Sequence, residues 1–261
     1  MKIFTSLIVK SEANVGWITL NRPETRNAFD EVMISEIQDA VDGLSVRDDI
    51  RAIVISGEGT AFSAGANIDW MRRMGESDFE TNYRDALGLA HMLDAIAVSP
   101  KPTIARVNGP AIGGGTGLVA ACDIAIGVET GFFSFSEVKI GLVPACIGPY
   151  VIRKVGEGRS RELFITGRRL TAGEAIDYGL LNFMTTLDKL DAELEVLLKQ
   201  IITSGPAAVA SAKRLARSVP EMYREEYIEY TAKLIAELRT SPEGREGTSA
   251  FLHKRSPNWM K

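Results

Sequence analysis

The chain has 261 residues, of which 45% are hydrophobic and 25% charged, with a net charge of −4. That balance suits one large folded α/β domain, or a core with an appendage, and excludes a disordered or fibrous chain. It also gives no electrostatic reason to expect nucleic acid or an anionic membrane as partner.

Strand and helix signals alternate from the start. Residues 7–9 and 17–20 read as paired strands joined by a turn at Ala13 and Asn14, and Asn21-Arg22-Pro23 breaks the second. Residues 30–44 read as a helix with Met33, Ile37, Val41 and Leu44 on one face. Residues 52–55 form a short, wholly apolar run ending at Ser56-Gly57, the signature of a buried parallel strand. Two more strand-like runs follow, 103–107 and 124–128, with a small-residue helical run at 118–122 before the second. This is α/β rhythm. Thr171 and Glu174 are spaced as a capping box for a helix closed by Gly179. Beyond about residue 190 the pattern is nearly all helical, with breaks at Gly205-Pro206 and Val219-Pro220. The expected division is a catalytic core over 1–190 and a helical C-terminal region over 191–261 that serves oligomerisation.

Absences narrow the chemistry. There are two histidines, His91 and His253, and neither an HExxH nor a CxxC motif, so a protein-bound zinc is not expected. No GxxxxGK[ST] loop offers a nucleotide cradle. Cys122 and Cys146 lie in apolar runs, as reduced thiols of a cytosolic protein would. No run approaches the ~20 apolar residues of a membrane span, and the first residues are charged too soon for a signal peptide. The expected location is cytoplasmic.

Three sites carry the chemical signal. In the first, Ala64, Gly65 and Ala66 are all small, so a ligand can lie against their backbone; the alternative is a surface loop entering a helix. The second is Gly113-Gly114-Gly115-Thr116-Gly117. Glycine backbones approach ligands closely, and N–H groups opening a helix lack intrahelical partners, so the run is a ready donor of hydrogen bonds to negative charge. It contains a literal GxGxxA over Gly115, Gly117 and Ala120. A dinucleotide fold is nevertheless disfavoured, because residues 108–112 separate the run from its strand and the helix available is too short for a crossover. The third is Glu137, flanked by Phe133, Phe135, Val138 and Ile140. Burial there would raise its pKa into the range that moves protons near neutrality; the alternative is a solvent-facing acid on an edge strand.

In their order these pieces resemble one family, the crotonase or enoyl-CoA hydratase/isomerase superfamily. The resemblance runs from Leu20-Asn21-Arg22-Pro23 and Asn27-Ala28, through Phe62–Ala66, Lys101-Pro102, Asn108-Gly109, the glycine run, Cys122-Asp123 and Glu137 with Gly141–Pro144, to 250–255. It implies an α/β core of repeated ββα units. It also implies an oxyanion hole from the N–H groups of Ala66 and Gly114, Glu137 as acid/base, and a CoA site including Ala64, Ala66 and Ile68. Phe251 and Lys254 match positions that reach the CoA of a neighbouring subunit in a trimer or a dimer of trimers. No metal or redox cofactor is implied; coenzyme A is part of the substrate. Family hydratases commonly add an earlier glutamate, and that position is Gly117 here. Hydration by two glutamates is therefore in question. A lyase with Glu137 alone, a double-bond isomerase, and a non-catalytic CoA-binding paralogue all stay open. The wording around residues 65–71 and 134–144 is similar to a bacterial branch labelled methylglutaconyl-CoA hydratase, of leucine breakdown. A distal carboxylate on such a substrate would call for a cation, for which Arg72 and Arg73 are candidates.

Overall fold

A computed structural model describes residues 3–260. In chain order it contains β1 (Leu7–Glu12), β2 (Val15–Leu20), α1 (Glu31–Ser45), β3 (Ala52–Gly57), α2 (Ile68–Gly75), α3 (Phe79–Val98), β4 (Thr103–Val107), β5 (Ala111–Ile112) and α4 (Gly114–Ala121). There follow β6 (Ile124–Val128), β7 (Phe132–Ser134), α5 (Gly148–Val155), α6 (Glu157–Thr166), β8 (Arg169–Thr171), α7 (Ala172–Asp177) and β9 (Phe183–Thr185). The chain closes with α8 (Leu190–Ile202), α9 (Pro206–Ser218), α10 (Arg224–Thr240) and α11 (Pro242–Leu252).

The main sheet has the order β1-β2-β3-β4-β6-β9, with β1 antiparallel to β2 and every later pair parallel. Ala13 and Asn14 turn the opening hairpin in the left-handed region. β3 is buried along its whole length, as its continuous apolar run requires of a strand covered on both faces. On one face α1 lays down Met33, Ile37, Val41 and Leu44, after Asp30 caps its first turn by accepting from the Met33 N–H at 2.9 Å. On the other face α8 sets Leu190, Leu194 and Leu198, four residues apart, against Val15, Val54, Ile104 and Ile126. The first helix beyond residue 190 thus completes the core of the sheet. The capping box of Thr171 and Glu174 forms as its spacing predicts.

A smaller sheet, β5-β7-β8, stands beside the C-terminal ends of β3 and β4, with β5 parallel to β7 and β7 antiparallel to β8. Thr116 ties it to α4: its hydroxyl donates to the Ala111 carbonyl at 2.7 Å and is buried. One sequence expectation changes here, and one alternative falls. The helix expected from residue 118 begins at Gly114, so the glycine run is its first turn rather than a loop before it. Glu137 does not lie on an edge strand; it is half-buried in a 3-10 turn, Ser136–Ile140.

Candidate active site

Two segments run side by side where β3 and β4 end. Ser63 bridges Ala111, the Ile112 N–H donates to the Ser63 carbonyl at 3.0 Å, and Phe29 bridges Ala66. Gly65 has φ +86°, and a Cβ there would stand 2.8 Å from the Ile112 carbonyl oxygen. Only glycine lets the two backbones come this close. The Phe29 ring then packs so tightly on Gly114 that an added Cβ would meet it at 3.1 Å. Phe29 therefore holds Ala66 by its backbone and Gly114 by its ring.

The two small segments end in free donors. Among the described residues the N–H groups of Ala66 and Gly114 meet no acceptor: Ala66 lies outside any helix, and Gly114 opens α4. The neighbouring N–H groups are used, Phe29 donating to Gly65, Asn67 to Phe29, and Gly113 to Ser134. Ala66 is exposed and Gly114 half-exposed, so both donors can be reached from outside.

β7 delivers the carboxylate. After Ser134 the chain turns over the glycine run, and Glu137 Oε1 comes to 3.2 Å from where a Gly113 Cβ would stand. Gly113, at φ +52°, has room for that oxygen because it lacks a side chain. The other oxygen, Oε2, is buried with no hydrogen-bond partner among the described residues. Burial pushes the Glu137 pKa above the usual carboxylate range, and a hydrogen bond with its own backbone offsets part of the rise.

Ala66, Gly114 and Glu137 are thus brought together. Ala64 and Ile68 flank Ala66, with Ile68 81% exposed at the start of α2. Phe251 and Lys254 are not brought to this place. α11 is tied to the opposite end of the sheet, where Arg51, just before β3, donates to the carbonyls of Ser204 and Trp259, and Phe251 is 83% exposed. Arg72 pairs with Asp69 and Arg73 with Glu31, all four exposed. A cavity of about 210 Å³ lined by Ile50, Arg51, Lys101 and Pro206 also lies at the far end of the strands.

Gly117 is filled from outside. A Cβ there would lie 2.0 Å from Ile147 Cγ2 and 2.6 Å from Ile147 Cβ, and Ile147 is only 3% exposed. The direction in which a residue 117 side chain would project is occupied by hydrocarbon. Sequence reading identified the missing acid but not its replacement, because residues 117 and 147 are related only by packing. It also missed Ser63, whose hydroxyl donates to the Asn27 carbonyl at 2.8 Å and accepts from the Gly65 N–H at 3.2 Å, bracing the Ala66 loop. The Phe-Ser-Ala-Gly-Ala wording was the available signal.

No group of three or more possible metal ligands occurs among the described residues, and no described helix is long and apolar enough to cross a membrane.

Residues 10–261 match the family model described as enoyl-CoA hydratase/isomerase. A Thermus thermophilus protein provisionally named an enoyl-CoA hydratase is 35% identical over 97% of this chain and 100% of its own length. Among solved structures, a Shewanella pealeana enoyl-CoA hydratase superposes with a TM-score of 0.95 at 36% identity, covering 98% of this chain and 96% of its own. A Legionella pneumophila chain, provisionally described as an enoyl-CoA hydratase/isomerase (crotonase), gives 0.92 at 42% identity, covering 97% and 98%.

Proposed function

Because the chain belongs to the enoyl-CoA hydratase/isomerase family of crotonase-fold enzymes, we propose that it adds or removes water across the α,β bond of an acyl-CoA thioester with Glu137 as its one acid/base. One observation carries this reading: among the described residues, two reachable backbone N–H groups without acceptors stand beside a buried carboxylate oxygen without a donor. In the hydration direction, Glu137 takes a proton from water as the water oxygen bonds to C3. The electron pair of the double bond moves toward the thioester carbonyl, whose oxygen becomes an enolate held by Ala66 and Gly114, each donor contributing roughly 3 kcal/mol in the transition state. Glu137 then delivers the proton to C2. A carboxyl with a raised pKa suits both halves of this transfer near neutrality.

A second reading is favoured by Ile147. With hydrocarbon where a second acid would hold water, Glu137 can carry a proton from C2 to C4 of a 3-enoyl thioester and shift the double bond. Turnover of crotonyl-CoA, methylglutaconyl-CoA and a 3-enoyl-CoA separates the two readings. Water uptake by either of the first two supports hydration; conversion of the third alone replaces it with isomerisation. Methylglutaconyl-CoA belongs in the panel because of the branch wording, although the arginines nearest to hand, Arg72 and Arg73, already have carboxylate partners.

The CoA moiety is assigned to Ala64, Ala66 and Ile68 of one subunit, with Phe251 and Lys254 supplied by another. The support is topological: one chain ties its C-terminal segment, through Trp259 and Arg51, to the end of its sheet opposite Ala66. The C-terminal helices would then assemble a trimer or a dimer of trimers, which sedimentation velocity would read directly.

A further inference from the structure

A second carboxyl group is tied to the site through the helix that follows Ala66 and has no part in the chemistry above. Starting at Ala66, the chain enters α2 through Asn67, whose side chain caps the helix by accepting from the Asp69 and Trp70 N–H groups. The buried Trp70 indole N–H donates to Asp85 Oδ1 on α3 at 3.1 Å. One residue further along α3, the Ala86 carbonyl receives the Cys146 thiol at 3.6 Å. Its neighbour Ile147 packs on Gly117 of α4, and α4 begins at Gly114. These contacts link Ala66, Trp70, Asp85 with Ala86, Cys146, Ile147, Gly117 and Gly114 in one continuous circuit that includes both residues with free N–H groups. Exposed apolar side chains are Ile68 and Met71 on α2, and Ile140, Leu142 and Val143 after Glu137.

Asp85 is the one carboxylate in this circuit. It is half-buried, one oxygen is held by Trp70, and the other has no partner among the described residues yet is not sealed from solvent. Burial raises its pKa, Glu31 adds to the rise, and the Trp70 hydrogen bond and Arg73 oppose it. Arg73 is itself engaged by both oxygens of Glu31, at 2.6 and 2.8 Å. With Arg73 already engaged by Glu31, a free carboxylate oxygen held in a fixed orientation by Trp70 recognises a donor and repels an anion.

We propose that Asp85 selects the acyl group: its free oxygen accepts a hydrogen bond from a hydroxyl on the acyl chain, and its charge turns away acyl chains that end in a carboxylate. This rests on the reading that an acyl-CoA thioester occupies the Ala66–Gly114–Glu137 site. Glu137 and Asp85 then divide the work, one moving the proton and the other reading the far part of the substrate.

The test uses three enoyl-CoA thioesters of equal length, ending in a methyl, a hydroxyl and a carboxylate, with the full-length wild type and Asp85→Asn. Asparagine keeps an oxygen for Trp70 and removes the charge; circular dichroism melting verifies the fold, and Asp85→Ser is the second variant. Wild type is expected to favour the hydroxyl over the carboxylate substrate in kcat/KM by about tenfold or more, as like-charge rejection at a partly buried site allows. In Asp85→Asn the carboxylate substrate should gain about tenfold in kcat/KM relative to the methyl substrate, through a lower KM. If wild type turns over at least one substrate and both variants leave the three ratios unaltered, the selector role is overturned and the acyl-CoA reading survives. If wild type acts on none of the three, both fall. A wild-type preference for the carboxylate substrate also overturns the proposal.

Discussion

Gly117→Ala should unfold the protein far more easily than its size suggests. The added Cβ would lie 2.0 Å from Ile147 Cγ2, where ordinary contact begins near 3.4 Å. Ile147 would have to retreat by more than about 1 Å inside a close-packed core. Its Cβ is itself only 2.6 Å away, so a rotamer change cannot clear the clash. Overpacking of this kind costs about 3 kcal/mol or more, while the helix-propensity gain of alanine over glycine returns only about 1 kcal/mol. Ile147→Ala alone should cost about 2–5 kcal/mol through the cavity it leaves. Combined, the two changes relieve each other, so the double variant should be more stable than the sum of the singles by about 1.5 kcal/mol or more. Recovery stays partial because the Cβ of residue 147 remains. Urea unfolding at fixed protein concentration, followed by circular dichroism, gives all four free energies. Additivity within about 0.5 kcal/mol would show that Ile147 does not occupy the position of the missing acid, and the one-carboxylate argument would lose its basis.

Glu137→Gln should abolish turnover by about two orders of magnitude or more while CoA affinity is kept, as tested by calorimetry. Because burial raises the folded pKa of Glu137, ionising it subtracts stability as pH climbs from the ordinary carboxylate range through the raised value. The glutamine variant should therefore melt higher than wild type at about pH 8 and equally at about pH 3, where both side chains are neutral; an equal difference at both values contradicts the burial argument. Gly65→Ala puts a side chain at φ +86° and 2.8 Å from the Ile112 carbonyl oxygen. It should move the Ala66 N–H off the oxyanion and lower kcat by about 10²–10³, and an unchanged kcat removes Ala66 from the oxyanion hole. Lys154→Met should stabilise, since the Lys154 Nζ is buried without a hydrogen-bond partner among the described residues and burial lowers its pKa. Its penalty is greatest below the lowered value and fades as pH rises toward 10.5, so the melting advantage of methionine should shrink at alkaline pH.

Much of the fold was legible because short-range physics wrote it. The period of Met33, Ile37, Val41 and Leu44 can only be a helix face, and the apolar run before Ser56-Gly57 can only be a covered strand. The donors and the acid were legible too, since Ala64-Gly65-Ala66, the glycine run and Glu137 are chemically unusual where they stand. Where Glu137 sits was not. An acid among apolar neighbours fits an edge strand as well as a half-buried turn, and only the pairing of β5 with β7 decides between them by carrying residue 137 over Gly113.

The sequence by itself determined which residues are chemically unusual: two small-residue backbones, one carboxylate among apolar neighbours, and no acid at Gly117. Tertiary structure alone decided what those residues meet. Ile147 fills the place of the absent acid, Asp85 is joined to the helix after Ala66 through Trp70, and the C-terminal segment is tied through Trp259 to Arg51 at the far end of the sheet. The division follows from range. Backbone periodicity, capping and glycine freedom are fixed within a few residues, whereas a clash between residues 117 and 147 exists only after the chain has packed.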